Sequence, residues 1–206
     1  GGEENWNRVS TSTTYTKTVY GSTSNRYPEY VGALFILNAY SIRIYAMTGI
    51  SDITQPATSW YSNSIGRYKE VTANYGSSYT IAVTVQSNYT FNRWTKTNSS
   101  SGTAVSTSTS YTFTVGTSNT FYAWGKANSY TVSFNGNGGS SSLSSKSVTY
   151  NSTYGDLPTA SRGGYSFAGW WTSSSGGSQV TSSTTVTTAG NHTLYAHWTK
   201  NVYKVD

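Results

Sequence analysis

The chain has 206 residues, a formal net charge of +6 and no cysteine; 35% of it is hydrophobic, yet 16% is aromatic. The absence of cysteine excludes a disulfide framework, and 7 acids with 2 histidines leave little material for a paired-carboxylate or metal centre. The 13 Lys and Arg are scattered singly, without the basic run that tracks a phosphate backbone, so no nucleic-acid partner is expected.

With 19 Tyr, 7 Trp and 6 Phe, rings must supply much of the core that Leu and Ile usually supply. Tyr, Thr, Val and Trp favour pleated, half-buried surfaces. Gly, Ser and Asn favour turns. The expected fold is mostly β: tandem small β modules in an elongated arrangement.

Residues 1–67 read as an N-terminal β module of unassigned type. Its segments TTYTKTVYG (13–21) and YSIRIYAM (40–47) alternate, and YVGALFIL (30–37) is its apolar run. That run is too short to span a bilayer, so no transmembrane segment is expected in this fragment. The opening GGEENW has the look of an excised piece, with any signal or wall anchor expected outside it. A boundary is expected between Arg67 and Tyr75. A middle module then covers 68–127, opening on the alternating strand SYTIAVTV (78–85), running through SNYTFNRW (87–94) and closing on NTFYAWGK (119–126). A C-terminal module covers 128–200, from SYTVSFNGNGG (129–139) through GGYSFAGWW (163–171) to HTLYAHWTK (192–200), with 201–206 as a tail. Period-two alternation implies one buried and one wet face in each strand.

The last two modules share one order of signals. Tyr89, Phe91 and Trp94 stand 76 residues before Tyr165, Phe167 and Trp170. Tyr165 and Phe167 share a strand face, and a bulge at Gly169 would return Trp170 to the core, beside Tyr195 and Trp198. The structural aromatic core is therefore expected at Tyr89, Phe91, Trp94, Trp124, Tyr165, Phe167, Trp170 and Trp198.

The residues YTVSFNGNGG (130–139), YGDLPTASRGGYSFAGWW (154–171) and LYAHW (194–198) resemble the Listeria–Bacteroides repeat, the B-repeat family of internalin-type surface proteins. The middle module resembles a divergent copy that keeps Tyr89, Phe91, Trp94, Tyr122, Ala123 and Trp124 but lacks the NGNGG turn and the GDLP step. The resemblance implies a β-grasp-like module of bacterial surface and secreted proteins, serving as a stalk or in adhesion, without a catalytic residue set.

Chemistry sought in the residues is sparse. His192 and His197 are odd-spaced on one strand and so face opposite sides. GYSFAG (164–169) does not have the glycine spacing of a nucleophile elbow. A catalytic reading needs Glu29, Asp52 and Arg43 to converge in one pocket. An isopeptide crosslink needs a buried acid such as Glu70 or Asp52 beside a Lys–Asn pair. Candidate ligand contacts are Trp60 and Tyr61, adjacent and therefore on opposite strand faces, and Trp171, which points away from Trp170. The expected function is that of a non-catalytic stalk or spacer in an extracellular or bacterial cell-surface protein, without cofactor or metal. The alternatives are an adhesin that recognises host or wall glycan, wall polymer or matrix protein through its N-terminal module, and a self-associating subunit of an extracellular fibre.

Overall fold

A computed structural model describes residues 38–203. The apolar run 30–37, Glu3, Glu4, Glu29 and Asp206 lie outside the described residues. Within them the chain is β throughout and has no helix.

The first nine strands are β1 (Ala39–Ala46), β2 (Ile50–Gln55), β3 (Tyr61–Ser62), β4 (Arg67–Asn74), β5 (Ser78–Val85), β6 (Tyr89–Thr95), β7 (Ala104–Ser106), β8 (Ser110–Thr114) and β9 (Asn119–Ala127). They form a six-stranded sheet in the order β3-β4-β1-β9-β6-β7 and a three-stranded sheet β2-β5-β8. Ile42, Ile44, Trp94, Phe121 and Ala123 of the larger sheet meet Ile50, Ile53, Ile81 and Val83 of the smaller one in a single buried cluster. Each ring or branched side chain so buried contributes about 1.5–3 kcal/mol.

The remaining strands are β10 (Ser129–Asn135), β11 (Ser140–Ser141), β12 (Ser145–Thr149), β13 (Ala160–Ser161), β14 (Tyr165–Trp171), β15 (Gln179–Val180) and β16 (His192–Lys200). Five of them form a sheet in the order β12-β10-β16-β14-β15, with β11 and β13 as a separate pair. Its core gathers Val132, Phe134, Val148, Trp170, Leu194 and Ala196 from the sheet, with Tyr154 and Val186 from the loops that cover it.

Five strands of the larger sheet, β4-β1-β9-β6-β7, repeat the order β12-β10-β16-β14-β15, with β3 added at one edge. β1 is antiparallel to β4 and parallel to β9, as β10 is antiparallel to β12 and parallel to β16. Ile44 faces Phe121 in register as Phe134 faces Leu194. Trp94 faces Ala123 as Trp170 faces Ala196, each after a break in register, between Phe91 and Arg93 in β6 and between Phe167 and Gly169 in β14. The bulge anticipated at Gly169 is therefore present, and its counterpart in β6 is made without glycine.

This pairing revises the reading of the middle unit. SYTIAVTV, which the alternation places at its opening, is β5 of the small covering sheet. The strand that corresponds to β10 is β1, and β1 lies between β4 and β9. The boundary expected between Arg67 and Tyr75 thus runs through a continuous sheet. Period two cannot separate β1 from β5, because both have one buried face; the parallel partner β9, far along the chain, decides.

Asn128 alone separates β9 from β10, and it is bonded on both sides. Its backbone N–H donates to the Asn88 carbonyl at 2.9 Å, and its carbonyl accepts from the Tyr150 N–H at 2.9 Å. Its side-chain oxygen accepts from the Thr90 hydroxyl at 2.7 Å. The Tyr130 hydroxyl donates to Asn88 Oδ1 at 3.2 Å, and Tyr89 meets Tyr150 edge to face at 6.2 Å.

Candidate functional site

The outer face of the six-stranded sheet, turned away from its core, carries a row of tyrosines. Register sets Tyr61 opposite Tyr68, Tyr68 opposite Tyr45, and Tyr45 opposite Tyr122. The rings follow one another at 5.6, 5.1 and 5.0 Å, and the Tyr45–Tyr122 rings stack nearly parallel, at 9°. Tyr45 is only 2% exposed although it points outward, because neighbouring rings shield it and Asn63 Nδ2 donates to its hydroxyl at 2.6 Å. Tyr61, on edge strand β3, is 52% exposed.

Beside this row Arg43 lies over the Tyr68 ring at 4.8 Å and holds the Glu70 carboxylate with N–O distances of 3.0–3.3 Å. The Ser41 hydroxyl donates to the same carboxylate. The Ser41 bond and, after it, Arg43 hold the Glu70 carboxyl below its ordinary range. The bond to Glu70 raises Arg43 in turn. Burial pushes the Tyr122 hydroxyl up.

Trp60 behaves differently from its neighbour Tyr61. It is half-buried against the first core, with Arg67 at 4.2 Å and Lys69 at 5.0 Å over its ring. Lys69 is 6% exposed. Its ammonium donates to the Ile53 carbonyl at 2.7 Å and touches Asp52 Oδ1 at 3.2 Å. That second contact is an ion pair without hydrogen-bond alignment, since Asp52 Oδ1 has no hydrogen-bond partner among the described residues. Arg43 faces outward with Glu70, whereas Lys69, opposite Ile44, carries Asp52 on the inner side. Arg43 and Asp52 therefore do not converge, and the pocket required by the catalytic reading is not formed between them; Glu29 lies outside the described residues.

Trp171 lies in the other large sheet. It stacks on His197 at 4.6 Å and 6°, and its buried Nε1 has no hydrogen-bond partner among the described residues. The candidate ligand contacts are thus split: Trp60 and Tyr61 on β3 or next to it, Trp171 on β14. Among the anticipated core aromatics, Trp94 and Trp170 are buried within the two clusters, while Phe91, Phe167 and Trp198 are half-buried against them. Tyr89, Trp124 and Tyr165 belong to neither cluster. Trp124 shares the outer face with Tyr122 and donates to Thr95 Oγ1 at 3.0 Å. Tyr89 sits at the contact with Tyr150, and Tyr165 lies under Arg162 at 3.9 Å. Tyr195 is opposite Trp171 and so lies on the face away from Trp170.

The glycine turn of the second sheet has a structural purpose. Asn137 and Gly138 take positive φ, 46° and 87°. Asn137 Nδ2 bridges the carbonyls of Ser174 and Ala196 at 2.9 and 3.0 Å, and the Trp198 indole donates to the Gly136 carbonyl at 2.9 Å. An open groove of about 360 Å³ beside it is lined by Asn137, Arg162, Tyr165, His197 and Trp198 among others.

The histidines are held singly. His192 bonds Tyr154 and the Gly190 carbonyl, and His197 bonds the Ser173 carbonyl. Among the described residues no group of three or more His, Cys, Asp or Glu is placed to hold a metal ion.

The second sheet thus joins a strand, a glycine turn, a proline-bearing loop and a bulged aromatic strand in chain order. Residues 130–197 match the Listeria-Bacteroides repeat domain. Over 82 residues the chain is also 35% identical to Internalin H of Listeria monocytogenes serovar 1/2a (strain ATCC BAA-679 / EGD-e). That match covers 40% of this chain and 14% of Internalin H, so the chain corresponds to a small part of that relative. The matched stretch begins at the second residue of β10 and ends three residues before the end of β16, so it takes in the β10–β16 sheet but for its margins.

Proposed function

We propose that the chain is a non-catalytic part of a bacterial cell-surface or secreted protein and that it serves as a spacer of serially joined modules. In this reading the first module runs from about residue 38 to 127 and the second from 128 to 200. The observation that carries it is the joint at Asn128. A linker of one residue, bonded through its backbone to Asn88 and Tyr150 and through its side chain to Thr90, leaves little freedom between the modules. The match to a bacterial repeat domain and to part of Internalin H supports the surface assignment.

The test is a binding screen of the whole chain against glycans, wall polymers and matrix proteins at two salt concentrations. A spacer gives no saturable binding, or weak binding that disappears as salt screens the net positive charge. Saturable, salt-tolerant binding would overturn the pure spacer reading.

One observation favours a second reading, that of an adhesin. Tyr61 is exposed at the sheet edge and opens the tyrosine row, and flat rings beside polar groups suit the faces of sugars. Tyr61→Ala would then abolish any glycan binding found in the screen without changing the fold.

A further inference from the structure

The joint at Asn128 has a second copy at the far end of the repeat domain. There the Asn201 backbone N–H donates to the Gly164 carbonyl at 3.0 Å, as Asn128 does to Asn88. The Ser166 hydroxyl donates to Asn201 Oδ1 at 2.7 Å, as the Thr90 hydroxyl does to Asn128 Oδ1 at 2.7 Å. Gly164 and Ser166 stand 76 residues after Asn88 and Thr90, the same offset as Trp94 to Trp170. Asn88 and Gly164 both hold positive φ, 67° and 77°.

The sequence that follows each joint asparagine also recurs. Asn128-Ser-Tyr130-Thr-Val132 opens β10, and Asn38-Ala-Tyr40-Ser-Ile42 opens β1. The carbonyl of Asn38 accepts from the Tyr75 N–H at 2.8 Å, as that of Asn128 accepts from Tyr150. Asn201-Val-Tyr203-Lys-Val205 has the same pattern. Val202 and Tyr203 are 91% and 75% exposed, whereas the corresponding Tyr130 is half-buried and bonded across the joint.

We propose that Gly164, Ser166 and Asn201 form a docking face for a further module of the same topology, whose first strand starts at Val202. The occupant is specified by the internal joint: it must present an alternating strand with tyrosine at its second position, and a residue placed like Tyr150 to meet Tyr165. The new joint lacks one bond of the first, because Gly164 has no side chain to accept from the Tyr203 hydroxyl as Asn88 does from Tyr130. The inference rests on the spacer reading and deepens it.

The test extends the full chain after Asn201 with a second copy of residues 129–201. The chain has no cysteine, so spin labels can be placed cleanly. In the extended chain, labels at Ser147→Cys and at the same position of the added copy report the new joint by electron–electron distance measurement. Labels at Thr72→Cys and Ser147→Cys, which hold corresponding register positions on β4 and β12, report the internal one. The expected result is a narrow distribution across the new joint with a mean close to that of the internal pair, broadened by inserting Gly-Gly-Ser after Asn201. A broad distribution without the insert overturns the docking face, while a broad distribution at the internal pair instead overturns the spacer reading. A second measurement needs no added module. In the unextended chain the Asn201 amide should be protected from hydrogen exchange, and Ser166→Ala should speed its exchange, as Thr90→Ala should speed that of Asn128. Exchange of Asn201 at the rate of an unstructured amide would equally overturn the proposal.

Discussion

Gly139 and Gly163 lie in the same module and differ in what surrounds them, so alanine at each separates packing from composition. A Cβ on Gly139 would stand 2.5 Å from the Ser161 carbonyl oxygen, 2.5 Å from Trp198 Cζ2 and 2.9 Å from Arg162 Cβ. Relief requires a shift of roughly 1 Å by a backbone oxygen of β13 or by a ring anchored on Gly136, and overpacking of this kind costs about 1–3 kcal/mol. Displacing the Trp198 indole also strains its bond to Gly136, worth about 0.5–1.5 kcal/mol. Gly139→Ala should therefore destabilise the second module by about 2–4 kcal/mol. At Gly163 a Cβ meets nothing within 4 Å, so Gly163→Ala should be neutral or stabilising by about 0.4–1 kcal/mol through the unfolded chain. Urea unfolding followed by tryptophan fluorescence, with amide signals of β10 and β16 to report the second module, measures both. Equal effects of the two substitutions, or a Gly139→Ala cost under about 0.5 kcal/mol, would refute the packing account of the glycine turn.

Three further outcomes follow from the same geometry. Lys69→Met removes the cation over Trp60 and takes its donor from the Ile53 carbonyl; because the Asp52 side chain is 46% exposed its charge still reaches water, so thermal unfolding should show a loss of about 1–3 kcal/mol rather than that of a fully buried broken pair. Glu70 has its folded pKa below the unfolded one, so its stabilisation is present above the ordinary carboxylate pKa and is lost as pH falls through the folded value. Glu70→Gln should accordingly cost about 0.2–1 kcal/mol at pH 7 and nothing measurable in strong acid, as read by denaturant midpoints across pH. Trp94→Phe and Trp170→Phe each remove an indole donor, to the Ser108 carbonyl at 2.9 Å and the Pro158 carbonyl at 2.7 Å; each should cost about 1–3 kcal/mol, and a loss confined to one of them would contradict their equivalence.

What the sequence makes legible is local. The 76-residue offset of YTFNRW and YSFAGW identifies β6 and β14 as counterparts, and Gly169 signals the bulge that returns Trp170 to the core. The match of β1 to β10 is hidden, because AYSIRIYA and SYTIAVTV alternate alike and the choice depends on a parallel partner far along the chain. The tyrosine row is hidden for the same reason. Tyr45, Tyr68 and Tyr122 come from three strands, and only the cross-strand register aligns them. Trp124 shows the limit of motif matching. It fills the place of His197, not of Trp198, so its ring lies on the outer face. The joint had a sequence signal after all, the recurrent Asn-x-Tyr-x-Val/Ile at 38, 128 and 201, but five residues carry meaning only once the bonds of Asn128 are known.

The central claim is that the two modules are held in one fixed relation by Asn128 and its partners. Residual dipolar couplings of the whole ¹⁵N-labelled chain test it most directly, comparing amides of β1, β6 and β9 with those of β10, β14 and β16. The account predicts that one alignment tensor fits both sets. Two tensors of different magnitude, showing that the modules reorient independently about Asn128, would contradict it.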